Sequence, residues 1–162
     1  MIDKFEGDYA FLSNFFYSPI TIEGKRYLTV ENYFQSMKAA TPGDAEEIRL
    51  APTPGKSKRL GRHCVIRKDW EDIKEDVMYK GVKAKFMQNP TLRTALEKTG
   101  EAWLEEGNTW HDNTWGVCHC IRCQGTMAYN KLGKILMRVR KELKEDLETR
   151  KIVLTLVKYG LN

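Results

Sequence analysis

From Asp69 to Gln88 the chain steps between apolar or small residues at helical intervals, with no proline to interrupt it. Trp70, Ile73, Val77, Gly81, Ala84 and Gln88 fall three or four residues apart, which a strand cannot use and an α-helix can. Asp69 stands at the N-cap and Asp72 at N3, placing acid in the first turn. A helix of this length needs partners to cover its apolar face, and the rest of the chain supplies them in pieces with the same period.

Val30, Tyr33, Phe34 and Met37 predict a helix over 30–40 with Thr29 as cap. Asn32 sits where a capping box wants Glu or Gln. Thr41-Pro42-Gly43-Asp44 ends that helix, and short helices are expected over 44–50 and 56–61. Pro90 suits the first turn of a helix over 90–98, with Asn89 as cap and Gly100 as stop. Leu132, Ile135, Leu136, Val139 and Leu143 predict a last helix from Lys131 to about Asp146.

Strand signals are few. Residues 9–30 read as β and turn, with a hairpin over 19–27 turning at Glu23-Gly24. Residues 102–106 read as a short strand, and 107–130 as a long loop rich in Gly, Asn, Asp and Cys. The tail segment Ile152–Val157 reads equally as a strand, a helix extension or an oligomer contact. The expected fold is a predominantly helical α+β domain over 1–147, with 148–162 as a C-terminal extension. At 162 residues the chain is long enough to bury its own core.

No apolar run approaches a membrane span, and no secretory signal is visible, so a cytoplasmic protein is expected. The net charge of +5 favours anionic partners, although basic and acidic residues alternate as on any solvated surface. Cys118, Cys120 and Cys123 form C-x-C-x2-C around His119. In a reducing compartment this reads as free thiols or as a zinc site, completed by His119 or the distant Cys64.

Glu31, Gln35 and Lys38 lie on one stripe of their helix, beside its apolar face. They are either a solvated polar face or a pocket wall holding a carboxylate, an amide and an amine. An amine in a pocket can serve as a nucleophile, and a nearby carboxyl can move protons. Asn14, inside Phe11-Leu12-Ser13-Asn14-Phe15-Phe16, faces a ligand or sits in a turn between strands. Trp70 can stack on a planar base or pack in the core. Asp112, in His111-Asp112-Asn113-Thr114-Trp115-Gly116, is a second active carboxylate or an Asx-turn residue.

These pieces together resemble the NADAR superfamily, the YbiA-like proteins. The matching segments are Leu12-Ser13-Asn14-Phe15-Phe16, Thr29 through Lys38, Leu60-Gly61-Arg62, Arg67-Lys68-Asp69-Trp70 and Ala84-Lys85-Phe86. They continue with Asp112 through Gly116 and Asn130 through Met137. The resemblance implies a small helix-dominated α+β domain with N-glycosidase activity. The implied substrates are ribosylaminopyrimidine phosphates of early riboflavin synthesis, or ADP-ribose joined to guanine in a nucleoside or nucleic acid. It maps active residues onto Glu31, Trp70 and Asp112, and a Schiff-base lysine onto Lys38. Asn14, Phe15, Gln35, Arg62, Lys85, Trp115, Gly116 and Asn130 are the expected substrate contacts, with Arg62, Arg67 and Lys85 as phosphate ligands. No cofactor is implied, and zinc at Cys118, Cys120 and Cys123 lies outside the family pattern. Two other readings differ in class: a non-catalytic binder of ADP-ribose or NAD, and a zinc-stabilised nucleic-acid module.

Overall fold

Helix α1 (Val30–Lys38) is the hub of a computed structural model that describes residues 1–160. Three neighbours pack on it: α2 (Pro42–Arg49), α3 (Pro54–His63) and α4 (Trp70–Gln88). The long α4 also meets α5 (Pro90–Lys98) and α6 (Lys131–Lys158). Val30, Tyr33 and Phe34 of α1 join Val77, Met78, Val82 and Phe86 of α4 and Leu132, Leu136, Val139 and Leu143 of α6 in one core. The fold is predominantly helical α+β, as expected.

Capping explains most helix starts. The Thr29, Thr41 and Thr53 hydroxyls each accept an N–H from three residues on, at 3.1–3.2 Å. The prolines at 42 and 54 therefore open α2 and α3, which start two residues earlier than expected. Asn32 does not complete a capping box. Its Oδ1 accepts from the Thr29 hydroxyl at 2.7 Å and its Nδ2 donates to the Ala51 carbonyl at 3.0 Å, tying α1 to the end of α2. Asp69 also departs from expectation: its carboxylate accepts from Arg67 Nε and Nη2 at 2.6 and 3.0 Å, not from the helix. Asn89 likewise makes no cap for α5, and its amide donates to the Lys85 carbonyl at 2.7 Å.

The hairpin forms as expected, with β1 (Ile20–Ile22) antiparallel to β2 (Lys25–Tyr27). Gln88, at the end of α4, is exposed and bonds both backbone groups of Thr21 at 2.8 Å. Residues 7–12 are a 3₁₀ helix, not a strand. Among the described residues no strand pairs with them, and Tyr9 and Ser13 donate locally to the Glu6 and Ala10 carbonyls. Residues 102–106 are not a strand either. Leu104 makes a single bridge to Ile2, through Ile2 N–H to Trp103 O at 2.8 Å and Glu105 N–H to Ile2 O at 2.9 Å.

The expected loop contains a two-residue parallel pair, β3 (Gly107–Asn108) with β4 (Val117–Cys118), and a 3₁₀ turn at Ile121–Cys123. The tail resolves as helix: α6 runs past Asp146 to Lys158, leaving Ile152, Val153, Leu154 and Val157 exposed. Residues 161–162 of the expected extension lie outside those described. Among the described residues no helix is long and apolar enough to cross a membrane.

Candidate active site

The Glu31-Gln35-Lys38 stripe of α1 faces a cavity of about 870 Å³. That size suits a nucleotide-scale ligand. α1 supplies Glu31, Phe34, Gln35 and Lys38, and α3 supplies Lys58 and Arg62. α4 adds Trp70, Lys74 and Met78. The segments between helices add Asn14, Phe15, Glu106 and Asp112, with Trp110 and Trp115.

Glu31 is buried, and its carboxylate accepts from Gln35 Nε2 at 2.8 Å. Burial pushes its pKa above the ordinary carboxylate value, outweighing the Gln35 hydrogen bond and the Lys58 and Lys38 charges, which pull it down. Its backbone N–H donates to the Asn14 carbonyl at 3.1 Å, which fixes the Ser13–Phe15 segment over the first turn of α1. Asn14 is buried, with its amide 3.3 Å from the Met78 sulfur.

Asp112 is the Asx-turn residue of its sequence reading, and it also borders the cavity. One carboxylate oxygen accepts from the Thr114 and Trp115 N–H groups at 3.0 and 2.9 Å, an Asx turn, while the side chain lines the cavity. Buried Asn108 clamps this loop, donating to the Asp112 carbonyl at 2.7 Å and accepting from the Asp112 and Trp110 N–H groups. The aromatic wall is continuous. Phe34 packs against Trp70 at 4.9 Å between centroids and against Trp115 at 5.3 Å.

Three expected contacts do not line the cavity. Lys85 is buried beneath it, donating to the Ser13 carbonyl at 2.9 Å with its ammonium beside the Phe16 and Phe86 rings. Desolvation alone lowers its pKa to about 7. Gly116 passes so close to the Glu106 carbonyl that any side chain would collide with it. Asn130, buried in a left-handed conformation, bonds the Leu104 carbonyl and the Glu106 N–H at 2.9 and 3.4 Å. Arg67, engaged with Asp69, also stands apart from the cavity.

Glu106 is the residue the sequence reading missed. Burial, reinforced by the Asp112 and Glu31 charges and opposed by Lys58, raises its pKa to about 7. The Asp112 charge thus acts on both Glu31 and Glu106 across the cavity, and that of Glu31 acts on Glu106. Lys58 was also missed, though its spacing of four from Arg62 on α3 puts both on one face. Its ammonium sits 5.6 Å from the Phe15 ring centroid. Neither Lys58, Arg62 nor Lys38 forms an ion pair among the described residues, so three cations remain available to an anion. Basic groups that converge on one cavity with acids and aromatics can bind a phosphate, stack a base and exchange protons.

A His/Cys cluster that can hold a metal lies in the same loop: His111, Cys118, Cys120 and Cys123. His119 does not belong to it, because its ring is 3.1 Å from Glu105. Nor does Cys64, whose thiol is bonded to the Gly61 carbonyl at the end of α3.

N-glycosidase YbiA of Escherichia coli (strain K12) is 39% identical over 84% of this chain and 82% of that protein. Riboflavin biosynthesis protein VVA0006 of Vibrio vulnificus is 34% identical over 85% of this chain, which spans 36% of that longer protein. The NMR structure of E. coli YbiA superposes with a TM-score of 0.78, at 38% identity, over 91% of this chain and 90% of that one. The NADAR domain family matches residues 3–144, and the chain belongs to that family.

Proposed function

We propose that this protein hydrolyses the C1′–N bond between a base and a ribosyl phosphate or ADP-ribosyl group. The observation that carries this reading is the meeting of Glu31, Glu106, Asp112 and Lys38 in one cavity with free cations and an aromatic wall. The names of the relatives add the reaction class: N-glycosidase, an enzyme hydrolysing N-glycosyl compounds.

In the proposed reaction the sugar ring opens, with the ring oxygen taking a proton as its bond to C1′ breaks. The Lys38 amine adds to C1′ and loses a proton to a carboxylate. The C1′–N bond then breaks, the base nitrogen taking a proton from a carboxyl group, and a lysine Schiff base remains. Water hydrolyses that imine, releasing the sugar aldehyde and restoring the amine. The net reaction consumes one water. Splitting one difficult step in two is the advantage of a covalent nucleophile.

Glu106 suits a proton transfer because burial raises its pKa to about 7, and burial raises that of Glu31 above the ordinary carboxylate value as well. Asp112 opposes the positive charge that develops on the sugar. Trp70 and Trp115 supply apolar faces for the base, and Lys58 and Arg62 supply charge for phosphate.

The test is chromatographic assay of released base. Wild type and Lys38→Ala are each given a ribosylaminopyrimidine phosphate, ADP-ribosyl guanosine and NAD, with borohydride in parallel. Base release by wild type, with a trapped sugar adduct absent from Lys38→Ala, supports the reading. Saturable binding of all three without base release overturns it in favour of a binding module.

A further inference from the structure

The loop that carries Asp112 and Trp115 buries little beyond Trp115 itself, which packs part-buried against Phe34. Between 109 and 129 only Gly116 and Cys118 are buried, and Ile121 and Met127 are largely exposed. Hydrophobic burial therefore contributes little to ordering this segment. Its four potential metal ligands nonetheless converge. His111 Nδ1 lies 3.3 Å from the Cys120 sulfur and 3.4 Å from the Cys123 sulfur. All four ligand atoms lie within 4.8 Å of one another.

Around a tetrahedral zinc with ordinary bond lengths, sulfurs stand about 3.8 Å apart and a nitrogen about 3.6 Å from a sulfur. The cluster is already near those separations. Three thiols and one imidazole complete a closed four-ligand set, the type that serves structure and leaves no position for substrate. His111 holds a left-handed backbone at φ 67°, with its ring nitrogen 3.3 Å from the Cys120 sulfur.

We infer that His111 Nδ1 and the sulfurs of Cys118, Cys120 and Cys123 bind a structural zinc ion that orders the Asp112–Trp115 loop against the cavity. His111 precedes Asp112 directly, so the metal holds the backbone at the residue that carries the carboxylate. Binding proceeds with loss of the thiol protons to solvent and no change in oxidation state. The metal site itself does not depend on the proposed reaction; its consequence for activity rests on that reading.

The test is metal analysis of full-length protein purified under reducing conditions without chelator, with circular dichroism as the check on folding. One zinc per chain is expected. A mercurial thiol reagent releases it in step with thiol titration, and cobalt replacement gives tetrahedral d–d bands with thiolate charge transfer. Cys123→Ser and His111→Ala lower zinc retention by at least about tenfold. His111→Cys restores it, and Cys64→Ser leaves it unchanged. Folded wild type without stoichiometric metal after growth in zinc, or with a disulfide among these cysteines, overturns the site. So does full zinc retention in Cys120→Ser/Cys123→Ser. For the loop, zinc-stripped protein that keeps its helical spectrum loses base release and regains it on adding zinc; unchanged turnover after stripping overturns the ordering role. Stoichiometric zinc without base release from any substrate supports the site and counts against the N-glycosidase reading alone.

Discussion

Gly61 of α3 leaves the space that Gln35 of α1 occupies. A β-carbon at Gly61 would meet Gln35 Oε1 well inside van der Waals contact. Gln35 in turn donates to Glu31 at 2.8 Å. Helix packing at a residue outside the chemistry thus sets the position of a buried carboxyl group.

Gly61→Ala is expected to displace Gln35 and break its bond to Glu31. Overpacking of this kind costs about 1–3 kcal/mol of stability. Thermal melting should show that loss. Base release should fall in kcat by roughly tenfold or more, because the displaced Gln35 no longer fixes Glu31. Unchanged kcat in a folded variant would remove Gln35 from the positioning of Glu31.

Lys38→Ala and Glu31→Gln are each expected to lower kcat by about 10²–10⁴-fold while the fold survives. Lys38 is half-buried at the end of α1, and Glu31→Gln keeps the shape of a buried side chain. Single-turnover base release beside circular dichroism separates chemistry from folding. Turnover near wild type in both variants refutes the assignment.

Glu106 gives stability a pH signature. Its pKa in the folded protein is about 7, above the ordinary 4.5, so the folded state holds the proton more tightly than the unfolded state. Its contribution is best below about pH 4.5 and declines as pH rises through 7. Glu106→Gln removes that decline. It should gain roughly 2 kcal/mol over wild type at pH 8 and little at pH 4, after allowing for partial exposure. Urea unfolding at the two pH values measures the difference, and equal effects at both would contradict a buried neutral carboxyl.

Lys85 has the opposite proton balance. Its folded pKa of about 7 lies below the ordinary 10.5, so the unfolded state holds the proton more tightly. The burial penalty is full below pH 7 and fades as pH rises toward 10.5. Lys85→Met should therefore look most favourable at pH 6 and lose ground to wild type by pH 10. A pH-independent difference in denaturant midpoint would show that the amine is solvated.

The helices were legible because their periods, and the Thr29 cap of α1, are local features, whereas the Thr41 and Thr53 caps that start α2 and α3 were passed over. Glu31, Gln35 and Lys38 followed from one helical stripe, and all three line the cavity. Glu106 was not legible, since its burial depends on Gly116 and Asn130, which approach it only in the folded chain. Lys85 was misassigned because basic residue types suggest phosphate. Its spacing from Gly81 and Val82 already placed it on the buried face of α4. The true fourth member of the cysteine cluster was hidden for a similar reason. His119 is nearer in sequence, but residues 117 and 118 pair as a strand, and the turn after them brings the thiols to His111.

The loop's attachment to the last helix sets the order in which a nascent chain becomes competent. Tyr129, Lys131 and Leu132 donate backbone hydrogen bonds to the Asn113, Thr114 and Trp115 carbonyls. On the ribosome, α1, α3 and α4 can assemble early, as local helical contacts do. That intermediate has one wall of the cavity and lacks the loop that carries Asp112. A chain stalled before residue 131 has made the loop's internal contacts, including the Asn108 clamp, but lacks the Lys131 and Leu132 bonds that seat Thr114 and Trp115 on the last helix.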